Sequence, residues 1–168
     1  MRPKKSHPRN GKRLRSSTTP PAKIKIRREE GYHTHYIGTS EDGTQFMGFV
    51  VGVPIRTNIQ EIGRKLRWYA VLHCFDSRGN HQGTNASFLA TKEFAYQIPD
   101  AEPKLVNMIK ALGTVQYGDV KVGQFSVEID GHQFGLIDAS VPEEGYQRID
   151  LVPNDLAFFP PWDGTYET

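Results

Sequence analysis

The sequence holds a single cysteine, Cys74, so an intramolecular disulfide is excluded, and with it the disulfide-stapled class of small secreted domains. One thiol fits a reducing compartment, and we expect a cytoplasmic protein. No run approaches the length of apolar sequence that a membrane-spanning helix needs, so no membrane partner is expected. The basic N-terminus is not followed by an apolar stretch, which argues against a secretory signal. Neither a G-x-x-x-x-G-K-[ST] loop nor G-x-G-x-x-G is present, so the common phosphate-cradling turns are absent. There is no G-x-S-x-G nucleophile elbow. No catalytic residue, cofactor or resident metal is expected on this reading.

Negative charge is also missing from one part of the chain. Residues 1–28 carry 11 Lys/Arg and no Asp/Glu, whereas residues 29–168 carry 10 Lys/Arg and 19 Asp/Glu. The net charge of +2 therefore joins a segment of +11 to one of −9. The expected organisation is a disordered basic tail over 1–28 and one acidic domain over 29–168. Residues 1–22 contain four prolines, no aromatics and little that is apolar, too little to offset the entropy of ordering. Lys4, Lys5, Arg9, Lys12, Arg13 and Arg15 are candidate nucleic-acid contacts, because clustered cations gain by releasing counterions from phosphates. The plainer reading is a solubilising extension. The stacking rings that help hold single strands are lacking in 1–22.

What is present is β pattern. Residues 67–76, RWYAVLHCFD, are apolar on both alternations, as in a strand covered on both faces. Asp76 to Asn80 supplies turn chemistry, and 82–90 can pair back as a hairpin. Residues 32–37 and 45–53 read as earlier strands. Residues 125–129 and 132–137 flank Asp130-Gly131, a strong hairpin signal. The one good helix is 103–112, with Leu105, Met108, Ile109 and Leu112 at helical spacing. The fold class is α+β, a mainly antiparallel sheet of about six to eight strands with one packed helix. A partly closed barrel is the alternative. The helix and the end of the chain at 158–166 are expected to cover the two faces of 67–76.

Few constellations carry chemistry. His33 and His35 form an H-x-H pair that needs a third ligand from His73, His81 or His132 to hold zinc. Cys74 follows His73, but strand neighbours point to opposite faces, so both read as core residues. Asp119, Glu128, Asp138, Asp150, Asp155 and Asp163 are scattered; acid–base work would need two of them in one cleft. The Pro-Pro-Trp-Asp-Gly end offers Trp162, Asp163 and Tyr166 as a partner-binding element, since aromatics dominate interface hot spots. Its structural reading is a turn with Trp162 packed on the sheet.

Residues 67–88, 117–138 and 153–168 (RWYAVLHCFDSRGNHQGTNASF, YGDVKVGQFSVEIDGHQFGLID, PNDLAFFPPWDGTYET) resemble a group of small bacterial proteins often labelled formate hydrogenlyase regulatory proteins. The resemblance spans about 32–168 and implies a cytoplasmic regulator acting through protein contacts. A looser similarity is to small acidic immunity proteins of bacterial toxin systems, which block a toxin by shape and charge complementarity. The expected function is thus non-enzymatic binding or regulation through an unidentified protein partner. A nucleic-acid-associated protein using the basic tail is the alternative, and an enzyme with a cleft histidine or carboxylate is the third.

Overall fold

The computed structural model describes residues 19–55, 65–94 and 96–168. The chain opens with β1 (Lys23–Ile26), turns through residues 27–35, and forms β2 (Tyr36–Ser40) and β3 (Gln45–Pro54). β4 (Leu66–Phe75) and β5 (His81–Lys92) follow, then α1 (Glu102–Lys110). Next come β6 (Val115–Tyr117), β7 (Val120–Gly123), β8 (Phe125–Ile129) and β9 (His132–Asp138). A 3₁₀ turn at Pro142–Glu144 leads to β10 (Ile149–Val152), β11 (Leu156–Phe158) and β12 (Tyr166–Glu167). All pairings are antiparallel. One five-stranded sheet has the order β5-β4-β3-β2-β6, another β12-β11-β10-β9-β8, and β1 and β7 make a separate ribbon. The α+β class is as expected, and among the described residues no sheet closes into a barrel. The described residues hold twelve strands rather than six to eight. The surplus comes from β1, β11 and β12, pieces two to four residues long that are too short for hydrophobic periodicity to reveal, and from the break near Gly118 that divides 115–123 into β6 and β7.

β4 lies inside its sheet, between β3 and β5, which explains its two apolar faces. On one face Ala70 and Leu72 pack with Phe46 and with Leu105, Met108 and Ile109 of α1. Gly48 makes that approach possible: a Cβ there would lie 3.0 Å from Leu105 Cδ1. Glu102 in the first turn and Lys110 in the last both suit the helix dipole. On the other face Tyr69 and Val71 meet Phe134, while Phe75 joins Leu136, Ile149, Leu151 and Phe158. The second cover is therefore a whole sheet, of which residues 158–166 form only one side. Its β8–β9 hairpin closes through Asp130 and Gly131, both at positive φ, as the Asp-Gly pair foretells.

The tail boundary at residue 28 is corrected. Ile24 and Ile26 are buried, and β1 pairs with β7 in register. Lys-Ile-Lys-Ile is a period-two pattern that buries isoleucine and leaves lysine outside. Charge density concealed that alternation. From residue 23 onward the chain has 14 Lys/Arg and 19 Asp/Glu, a net −5, and residues 1–22 keep seven basic residues. The C-terminal end docks on this segment. The Arg27 N–H donates to the Gly164 carbonyl (3.0 Å), and the Tyr166 hydroxyl to Glu29 Oε2 (3.3 Å). No described helix is long and apolar enough to cross a membrane.

Candidate functional site

The edges of the two large sheets differ sharply. Natural sheets blunt their edges with short strands, charge, proline or bulges, because unpaired N–H and C=O groups invite another strand. β12 spans two residues, β6 three, and β8 five with Glu128 on it. β5 spans twelve residues, HQGTNASFLATK, with Lys92 its one formal charge, no proline and no buried residue. Its register against β4 slips at Gln82 and at Leu89. These irregularities bracket a regular run at 83–88, whose outer backbone groups form a continuous row.

Beside that row lies apolar surface. Phe88 is 51% exposed, Phe94 38%, Tyr96 78% and Ile98 66%. The Phe94 and Tyr96 rings stack with centroids 5.4 Å apart. The Arg67 guanidinium sits 5.0 Å from the Phe88 ring and 3.7 Å from Asp130 Oδ2. Asp130 also accepts from the Tyr69 hydroxyl at 2.7 Å. Exposed rings following an edge strand are a feature of interaction surfaces.

A second feature is a groove of about 650 Å³ lined by Lys23, Lys25, Lys121, Gln45, Asp119 and Trp162, with prolines at its rim. Lys25 pairs with Asp119 at 3.1 Å. Asp119 also accepts the Arg28 N–H at 2.9 Å, and that bond leads the causes holding its carboxyl below the usual range. Trp162 meets this groove while packing against the main core cluster. Asp163 beside it accepts the Thr165 N–H (3.0 Å) and hydroxyl (2.7 Å), a turn that lowers its pKa. Tyr166 is half-buried against the core. Lys4, Lys5, Arg9, Lys12, Arg13 and Arg15 lie outside the described residues.

Among the described residues the histidines are not grouped as a metal centre. His33 and His35 occupy turns rather than a strand, because β2 starts at Tyr36. They share a pocket of about 220 Å³ with Tyr32, Tyr36, Glu102 and Asn154. His35 Nδ1 accepts the Gly31 N–H at 2.8 Å, so that nitrogen is committed to the turn. The Tyr36 hydroxyl bonds to Glu102; burial and that carboxylate push its pKa up to about 12, so it keeps its proton. His73 is buried on β4 beneath Phe125 of β8, with ring centroids 4.8 Å apart. The Thr84 hydroxyl lies 2.8 Å from His73 Nδ1 and 2.9 Å from His81 Nε2. Burial, and then the neighbouring His81, lower the His73 pKa to about 3, which keeps the ring neutral. Cys74 faces the helix side instead, and burial pushes its thiol up, away from the reactive thiolate. Among the described residues no three His, Cys, Asp or Glu side chains are grouped to hold a metal ion.

Of the other candidate carboxylates, Glu128 lies on β8. Asp138 accepts the Ser140 N–H, Asp150 pairs with Arg148, and Asp155 sits in a turn at positive φ. Sequence reasoning missed both the open edge and the groove. The signals were the near-absence of charge over 81–92 and the Lys-Ile-Lys-Ile alternation of β1.

Comparison of the chain with family models, with curated proteins and with solved structures finds no match.

Proposed function

We propose that the protein is a non-enzymatic binding module that takes an extended segment of a partner protein as an added strand on β5. The observation that carries this reading is the length and lack of charge of that edge, set against three short or charged ones. In strand addition the backbone row supplies affinity, and adjacent side-chain surface supplies specificity. The exposed Phe88, Phe94, Tyr96 and Ile98 are suited to that second task. A cytoplasmic regulator or an immunity-type inhibitor is the biological form this binding would take. Among the described residues the candidate carboxylates are taken up in local turns and pairs, which favours binding over catalysis.

The test compares immobilised wild-type protein with an Asn85→Lys/Ser87→Lys variant in extract from the native host. Two lysines on the edge repel an incoming strand, while surface changes of this kind shift stability by only about 0.5 kcal/mol. A protein retained by the wild type and reduced at least tenfold by the variant supports the reading. Equal retention by both, or none by either, overturns it.

A further inference from the structure

The geometry points to a second site, independent of β5: the lysine-lined groove binds a single-stranded polynucleotide. In the β1–β7 ribbon Lys25 lies directly opposite Lys121, and Lys23 is two residues along from Lys25. Cross-strand partners and i, i+2 residues share a face, so all three ammonium groups rise on one side. The opposite side carries Ile24, Ile26, Val120 and Val122, all buried. Like charges directly across a ribbon are destabilising. Asp119 offsets one of them through Lys25, and the groove keeps a net excess of two positive charges. This stands out on a body whose net charge from residue 23 onward is −5.

The ribbon is fixed in place. Gln45 on β3 donates Nε2–H to the Lys121 carbonyl (3.0 Å) and accepts the Lys121 N–H (2.8 Å). Trp162 supplies the aromatic surface that residues 1–22 lack. It holds φ +64°, a left-handed conformation that costs energy for a bulky residue, with its N–H bonded to the Phe159 carbonyl at 2.9 Å. A cationic groove with an aromatic wall is the arrangement that tracks a sugar–phosphate backbone and stacks an unpaired base. A duplex keeps its bases stacked on one another and offers no face to Trp162.

The experiment titrates the full chain into labelled oligo-dT and oligo-U, with duplex DNA and inorganic polyphosphate as comparison anions. Binding to either single strand should weaken with salt, with a log–log slope of about −0.7 per phosphate neutralised. Lys23→Glu/Lys121→Glu should lower affinity at least tenfold and flatten that slope. A Trp68→Phe variant leaves Trp162 as the sole tryptophan, and its emission should be quenched on binding. Trp68 Nε1 has no hydrogen-bond partner among the described residues, so phenylalanine removes no bond there. The relative affinities for dT and U tell which strand is preferred, and tight binding of either supports the site. Polyphosphate binding as tight as the oligonucleotides, without quenching, overturns it. So does full affinity in the charge-reversed variant that is lost on deleting residues 1–18, or no binding at low salt.

Discussion

Two surfaces of one small fold rest on opposite physical resources. The β5 edge offers backbone hydrogen-bonding groups and exposed rings, with a single charge over twelve residues. The β1–β7 groove offers three lysines and one tryptophan, with its own backbone already paired. The first suits a ligand that brings a peptide backbone; the second suits one that brings phosphates and a base. The same body carries both because each is built outside its cores. β5 is the outermost strand next to β4, and the ribbon turns only isoleucine and valine inward. Surface chemistry in this protein is thus set by what a strand leaves unpaired, as much as by which side chains it displays.

Both surfaces depend most heavily on their shared scaffold. Phe134 is fully buried between the sheets, its ring centroid 5.9 Å from that of Tyr69. Phe134→Ala should cost about 3–5 kcal/mol, read by chemical denaturation. Both binding activities should then fail together as the sandwich loosens. Next in size are changes that separate the surfaces. Asn85→Lys/Ser87→Lys should abolish strand capture and leave oligonucleotide affinity within about twofold, since distant sites act nearly independently. Lys23→Glu/Lys121→Glu should do the reverse. Loss of both activities in either variant, with the fold intact by circular dichroism, would merge the two surfaces into one.

A separate effect is one of pH. His73 ionises near its ordinary value when unfolded but is held neutral in the fold, with its pKa lowered to about 3. The unfolded chain therefore binds the extra proton, and stability falls as pH drops from about 6.5 toward 3. Asp42, held down to about 2 chiefly by the Ser40 hydroxyl, adds a loss in the same direction at lower pH. His73→Leu should flatten the melting temperature between pH 4 and 6.5 while leaving both surfaces working at neutral pH. An unchanged slope would place the acid sensitivity elsewhere.

How much of this could be read in the sequence depended on how far each signal stood above its surroundings. β4, α1 and the Asp130-Gly131 hairpin were legible because each has a strong local pattern of its own. The joining of that hairpin to the last strands as a second sheet was not. Its strands β10 to β12 are two to four residues long, and their pairing is a matter of distant contacts. His33 and His35 looked like strand residues until the turn held by the Gly31 N–H displaced them. Trp162 was visible as a candidate, but its meeting with Lys23, Lys25 and Lys121 joins two ends of the chain and is written in no local motif. The β5 edge was predicted as a strand. Its place at the outside of the sheet is a property of topology, and charge composition hinted at it only in retrospect.

The proposed addition of a partner strand on β5 has a direct physical signature. It is tested most directly by hydrogen exchange across residues 81–92, in the full chain alone and bound to the protein it retains from host extract. Strand addition predicts that exchange at 83–88 slows markedly in the complex, because outward N–H groups gain acceptors. Protection elsewhere on the surface, with 83–88 exchanging as fast as in the free protein, would contradict it.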